Sequence, residues 1–304
     1  MRHVTLRQLQ IFESAARHLH FGRAAAEVHL TQPAVSLQVR QLESEVGLPL
    51  FEHVGRRLQL TPAGQEVARY ARAVQQLLRE ADESLNALKG IGGGELHIAV
   101  VSTAKYFAPK LLAEFRRRNP QVKVRLSVSN REAVVRDLAE NSIDLALMGQ
   151  PPRGIDTTAV AFARHPLAII AAPDHPLATR RRLRLDQLAH ETFIIRERGS
   201  GTRSSTERVF AARGFRPAET IEMSSNETIK QAVMAGMGVS FLSLHTVELE
   251  VATGRIAVLK VAGTPVMRAW HIVHRERKRL SPAALAFKSF LLQGGERLLA
   301  LALA

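Results

Sequence analysis

Cysteine is absent from this sequence, which excludes disulfide scaffolds, thiolate nucleophiles, iron–sulfur clusters and cysteine-ligated zinc. Long apolar runs are missing too. The longest clean ones, Leu167 to Pro173 and the tail Leu298 to Ala304, fall far short of the roughly 18 residues that a membrane span needs. The N-terminus carries Arg7, Gln8, Gln10 and Glu13 where a secretory signal needs an apolar run of at least about 7 residues. A cytoplasmic chain with no membrane association is expected. Acidic residues are in deficit, 28 against 42 Lys and Arg over 304 residues, a formal charge of +14. Such a balance points to polyanionic partners, but it is unevenly placed: residues 1–90 carry +2 and residues 91–304 carry +12. The runs Arg180-Arg181-Arg182 and Arg277-Lys278-Arg279 read as solvated loops. At roughly 100 to 200 residues per domain, the length predicts two or three domains.

The first 50 residues show three helical patterns. Leu6, Leu9, Phe12, Ala15, Ala16 and Leu19 make one apolar face, and Ala24, Ala25 and Val28 a second. The third helix has a start signal in Thr31 with Pro33 in the first turn, and a stop signal in Gly47. Its inner face is Val35, Val39, Leu42 and Val46; its outer face is Gln32, Ser36, Gln38, Arg40 and Gln41. Two short helices joined this way, the second polar outside, predict a helix-turn-helix. The segment Pro49 to Thr61, with Gly55-Arg56-Arg57 at its tip, predicts a wing. From Pro62 to Lys89 a long helix is expected. In it Val67, Val74, Ala81 and Leu88 repeat every seven residues, with Ala71, Leu78 and Leu85 at the complementary positions. That seam predicts dimerisation through Val67, Val74, Leu78 and Leu85, and Gly90 to Gly94 reads as a linker.

Beyond residue 94, strand candidates alternate with helices, an α/β pattern of open sheets. The strands are 96–101, 122–128, 145–149, 167–173, 192–196, 239–242, 256–261 and 269–274; the helices are 107–118, 131–140, 202–213, 227–234 and 282–292. In such sheets ligands sit beyond the carboxyl ends of strands, at helix N-termini. Ser102 and Thr103 follow the first strand and Lys105 adds charge there. Thr202 and Arg203 open a second helix, with Asn130, Gln150 and Asn226 as neutral partners. A purely structural reading stands beside each: Thr103 and Thr202 as helix caps, Asn226 as a turn. Enzyme signals are weak. His271 and His274 point to opposite faces of a strand, Gly236-Met237-Gly238 is an incomplete dinucleotide fingerprint, and Gly199-Ser200-Gly201 has the wrong flanks for a nucleophile elbow. No catalytic residue, metal site or bound cofactor is expected.

Ala24-Ala25, Leu30 to Ser36, Gln41-Leu42-Glu43, Leu50-Phe51, Arg56 and Leu60 to Gly64 resemble the LysR-type transcriptional regulators, over about Leu6 to Phe290. Thr103 to Lys110, Asn130-Arg131-Glu132, Ile143 to Gly149, Gly199 to Arg203 and Ser225 to Met237 are similar to the subgroup that regulates RuBisCO operons. The resemblance implies an α+β winged helix-turn-helix over 1–61, a linker helix and hinge over 62–94, and over 95–304 a periplasmic-binding-protein-like domain. That domain would comprise two α/β subdomains, one of about 95–164 with 269–304 and the other of about 165–268. By position it places Thr31, Gln32, Pro33, Ser36, Arg40, Arg56 and Arg57 on DNA. Many relatives have a basic residue after Ser36, where this chain has Leu37. The implied partners are double-stranded promoter DNA, further copies of the chain as a homodimer and a dimer-of-dimers tetramer, and RNA polymerase. The implied effector is a small anion, either a phosphorylated metabolite or a reduced nicotinamide cofactor. A regulator of another metabolic operon with a non-phosphorylated effector is the alternative, and a cytoplasmic solute-binding protein or an enzyme is a remote one.

Overall fold

The computed structural model describes residues 3–55, 57–88 and 93–301. Arg56 and most of the expected linker at Gly90 to Gly94 lie outside them. The chain divides into two compact units near residue 85.

The N-terminal unit opens with α1 (Leu6–His18), α2 (Phe21–Glu27) and α3 (Gln32–Val46). Thr31 caps α3 by accepting from the Ala34 N–H, and Gly47 ends it at φ 76°, a left-handed conformation that glycine adopts without penalty. Ile11, Ala15, Ala24, Val35 and Val39 form the core between these helices. The wing is a hairpin of β1 (Phe51–Val54) and β2 (Arg57–Leu60), paired from Phe51↔Leu60 to Val54↔Arg57. Glu43 of α3 accepts from the N–H groups of Leu50 and Phe51 at 2.8 and 3.2 Å. The Phe51 ring meets Phe12 and Phe21 edge-on, so the wing is fixed to the helices by both polar and apolar contacts.

A long helix, α4 (Pro62–Leu88), follows. A Cβ on Gly64 would lie 2.0 Å from the Leu50 carbonyl oxygen, so only glycine allows the start of α4 to pack this closely on the wing. The expected seam is corrected here. Val67 and Ala71 are buried with Phe12, Leu42 and Leu50 and serve the core of their own unit, while Val74 is half-buried. The apolar stripe left exposed is Tyr70, Leu77, Leu78 and Leu85. The heptad period is as expected, but the first turns of the helix are already occupied by the winged domain.

The second unit comprises β3 (Gly94–Val101), α5 (Ala108–Arg118), β4 (Val122–Ser129), α6 (Arg131–Ala139), β5 (Leu145–Met148), β6 (Thr157–Ala171), β7 (Thr192–Arg196), α7 (Gly201–Ala212), β8 (Glu219–Met223), α8 (Asn226–Met234), β9 (Ser240–Ser243), α9 (Glu248–Ala252), β10 (Ala257–Val258), β11 (Val266–Arg275) and α10 (Pro282–Leu298). Alternate residues of each central strand face different helices. Leu96, Ile98 and Val100 pack with Leu111, Phe115 and Phe287, whereas Ala99 packs with Val134 and Leu138. Likewise Leu167 and Ile169 meet Phe193 and Phe210, and Ala168 and Ile170 meet Ile229 and Val233. Strands covered on both faces read as continuous apolar runs, which is why 167–173 stood out in the sequence.

Several expectations change. Of the run 167–173, residues 167–171 are the last third of β6, and 256–261 contributes only the two-residue β10. β8 went unrecognised because its sequence, Glu-Thr-Ile-Glu-Met, is largely exposed and charged. The short α9 was also unanticipated.

The sheet order among the described strands is β10-β6-β11-β5-β3-β4, with β9 also on β6, and β7 pairs in parallel with β8. β6 and β11 are the long members, antiparallel from Val266↔Leu167 to Arg275↔Thr157. One end of this ribbon joins β5, through His271 to Val273, and the other joins β9, through Leu167 to Ile170. Both strands therefore run through both halves of the unit. A register shift between Trp270 and His271 marks the crossover, and such bulges re-aim side chains.

Candidate functional site

On the N-terminal unit, Thr31, Gln32, Pro33, Leu37 and Arg40 are exposed and Ser36 is half-buried. At 3.6 residues per turn, positions 32, 33, 36, 37 and 40 form one stripe along α3. Val35, Val39 and Leu42, on the opposite side, are the buried anchors. The stripe offers an amide, a hydroxyl, a guanidinium and two apolar contacts, the donor and acceptor types that read base edges and phosphates in a major groove. Arg57 is exposed at the start of β2. Arg56, expected at the wing tip, lies outside the described residues.

In the second unit, strand ends converge on a cleft. Ser102 and Thr103 enter it after β3, Arg131 at the start of α6, Gly149 and Gln150 after β5, Arg196 at the end of β7, and Glu197 and Ser200 to Thr202 beyond it. The crossing ribbon supplies the floor. His165 pairs with Arg268, and Ala163 with Trp270, in the antiparallel register. Cross-strand partners share a face, so His165, Arg268 and Trp270 project to the same side, and all three line the cleft.

Of the residues expected in this site, Ser102, Thr103, Gln150 and Thr202 line the cleft. The capping alternative fails for both threonines. Thr103 makes no side-chain cap bond, and α7 is capped by Ser200, whose Oγ accepts from the Thr202 N–H at 3.2 Å. The other four are corrected. Asn130 is exposed and caps α6 by accepting from the Ala133 N–H at 2.9 Å. Lys105 lies 3.7 Å from Glu227 and over the Tyr106 ring. Arg203 turns away, pairing with Glu207 at 2.5 Å and Glu222 at 3.1 Å. Asn226 is buried behind the lining, where its Oδ1 accepts from Arg196 Nη1 at 2.6 Å.

The charge that residue spacing assigned to Lys105 and Arg203 comes instead from Arg131, Arg196 and Arg268. Arg196 is 3% exposed; it grips Glu197 through Nε and Nη2 at 2.7 and 2.8 Å and donates to Ser102 Oγ at 3.3 Å. Arg131 and Arg268 have only neutral partners among the described residues. Arg131 donates to the Pro151 carbonyl at 3.3 Å and leaves Nε unpaired. Arg268 donates to the Ser205 hydroxyl and to the Gly149 carbonyl. Burial lowers the pKa of both, and the nearby charges of Arg208 and Arg131 lower that of Arg268 further. Guanidiniums remain charged even so, so the cleft holds two cations without counter-charges. Burial, then the charges of Arg268, His245 and His271, holds His165 well below the usual histidine range. Asn130-Arg131 at the end of β4 was a sequence signal for Arg131. His165, Arg268 and Trp270 become visible only with the register of β6 against β11.

No group of three His, Asp or Glu suited to a metal occurs among the described residues. No described helix is long and apolar enough to cross a membrane.

Residues 6–65 match the bacterial regulatory helix-turn-helix proteins of the lysR family, and residues 90–296 match the LysR substrate binding domain. The RuBisCO operon transcriptional regulator of Allochromatium vinosum is 53% identical over 97% of this chain and 98% of its own length. The regulator CfxR of Cupriavidus necator is 52% identical over 96% and 92%. Among solved structures, the regulatory domain of Synechocystis CcmR in complex with 2-PG is 37% identical, covers 66% of this chain and 96% of its own, and superposes with a TM-score of 0.62. Full-length CbnR, itself solved with its target DNA, aligns over 95% of this chain and 99% of its own at 24% identity and a TM-score of 0.69, a likeness of fold. A reading stripe on α3, a wing locked to it, and a strand-end cleft in a separate α/β unit thus coincide with both family matches, and the chain belongs to the LysR family of DNA-binding transcriptional regulators.

Proposed function

We propose that this regulator acts in the cytoplasm on a RuBisCO operon and that its state is set by a small phosphorylated metabolite held in the cleft. The observation that carries the effector class is the pair Arg131 and Arg268, half-buried guanidiniums in the cleft lining with no carboxylate partner among the described residues. Partly desolvated charges favour an opposite partner, and an anionic ligand supplies one. The target genes follow from the relatives, whose names specify that operon. CcmR, solved with 2-PG, makes 2-PG the first compound to try. Gln32, Pro33 and Ser36 would face base edges, with Arg40 and Arg57 on phosphates. The stripe Tyr70, Leu77, Leu78 and Leu85 on α4 would pair with the same stripe of a second copy, and a tetramer of two such dimers would present two reading pairs to promoter DNA and to RNA polymerase. Calorimetric titration of 2-PG into the full-length protein, with Arg268→Gln as control, tests the effector assignment. Saturable binding by the wild type that the variant loses is the expected result.

A further inference from the structure

His165 is a buried residue of the cleft with both ring nitrogens left unsatisfied by the described residues. It is 4% exposed, lines the cleft, and neither Nδ1 nor Nε2 has a hydrogen-bond partner. Buried polar groups are almost always paired, so two orphaned nitrogens in a ligand pocket point to a partner that arrives with the ligand. The ring is held in place rather than loose. It stacks on Trp270 with centroids 3.9 Å apart and planes at 18°, and its Nδ1 would lie 2.8 Å from a Cβ at Gly149.

The groups facing it are cationic or neutral. β11 contributes Arg268 and His271, the turn after β9 contributes His245, and the cleft wall adds Arg131 and Arg196. The acidic residue of the lining, Glu197, is already bound by Arg196. In the empty cleft a second proton on His165 is opposed by burial and by these like charges. An entering anion reverses the local field and brings acceptor oxygens, while an imidazolium offers a donor at each nitrogen.

We propose that His165 is a ligand-contacting residue that takes up a proton as a doubly charged, phosphate-like anion enters the cleft, so that effector binding and proton uptake are coupled. This rests on the anionic-effector reading above. It adds a selectivity: a dianion opposes more of the local positive charge than a singly charged ligand does, and so favours the imidazolium more strongly. The direction of linkage follows. Binding is tightest at low pH and weakens as pH rises from the depressed value of the empty site towards the raised value of the occupied one, by up to about tenfold per pH unit for a single proton.

Sulfate is the probe, because it remains a dianion across the range used and any proton taken up belongs to the protein. Calorimetry of the full-length protein in two buffers of different ionisation enthalpy, at several values between about pH 6 and pH 8, should show uptake of up to one proton per site and a dissociation constant that rises with pH. Trp270 is the one tryptophan of the chain, so quenching of its fluorescence by the stacked imidazolium on sulfate addition gives a reading that needs no variant. His165→Gln should bind sulfate more weakly and without pH dependence. Sulfate binding with no proton uptake and no fluorescence change would overturn the proposal while leaving the anion-binding cleft intact. The same pH dependence in His165→Gln would assign the proton elsewhere and overturn it as well. Absence of any sulfate binding would contradict the anion-binding cleft and this inference together.

Discussion

Arg268 donates to a hydroxyl and a carbonyl, both neutral acceptors, so its charge is available to a ligand. Hydrogen bonds to charged groups contribute about 1.5–3 kcal/mol each, and Arg268→Gln should weaken effector binding by roughly 10- to 100-fold, measured calorimetrically. Gly149→Ala acts on the neighbouring ring. Its Cβ would meet His165 at 2.8–2.9 Å, so the imidazole must leave its stack on Trp270. Overpacking of this kind costs about 1–3 kcal/mol; a lowered melting temperature with weakened effector binding is expected, and unchanged Trp270 fluorescence would count against it. At this scale the sequence was half legible. Ser102, Thr103, Gln150 and Thr202 could be found because strand ends and helix starts leave local signals. Lys105 and Arg203 follow from the same logic, yet each side chain turns to carboxylates of the protein, Glu227 for one and Glu207 with Glu222 for the other. A rotamer chosen by such a pair has no signature in residue spacing. The residues that supply the charge lie on or beside elements distant in sequence, and strand register brings them together.

Among the elements, α4 offers the sharpest test, because its apolar residues divide between two tasks. Leu78 is 44% exposed and Val67 is 7% exposed. If the exposed stripe pairs two copies, Leu78→Asp places a charge in that seam and should convert dimers to monomers at micromolar concentration without unfolding the protein. Val67→Asp buries an unpaired charge beside Phe12 and Leu42 and should instead unfold the winged unit. Light scattering paired with circular dichroism separates the two, and an unchanged mass for Leu78→Asp would show that the stripe is not an interface. A second element-level prediction concerns acid. Glu27 of α2 accepts from Arg17 at 2.5 Å, meets His18 Nε2 at 2.5 Å, and accepts from Ser14 at 3.2 Å. Chiefly through Arg17, its pKa falls from 4.5 to about 2. A depressed carboxyl stabilises the fold above its unfolded value and loses that contribution as pH drops through the folded one. Acid unfolding of the N-terminal helices should therefore develop between about pH 4.5 and pH 2, and Glu27→Gln should flatten that profile in circular dichroism. Helices with caps and full periodicity were readable in advance, as α3 shows with Thr31, Pro33 and Gly47. β8 was not, because a charged, exposed strand carries no burial pattern.

For the molecule as a whole, the two-part organisation was legible from the change of period near residue 94, from helical spacing to alternating strands and helices. The way β6 and β11 unite the second unit was not. The last third of β6 and most of β11 read as separate short strands, and only the pairing from Val266↔Leu167 to Arg275↔Thr157 reveals one ribbon beneath the cleft. Because His165, Arg268 and Trp270 sit where that ribbon crosses between the halves, a ligand there contacts the segment both halves share. A ligand that binds one closure angle better than another shifts the population towards it. Footprinting on a RuBisCO promoter with and without 2-PG, for wild type and Arg268→Gln in parallel, tests this most directly. The expected result is equal DNA affinity without ligand, a changed footprint for the wild type on adding 2-PG, and no change for the variant. A variant that still responds at wild-type ligand concentrations would show that the cleft drawn here does not control the regulator.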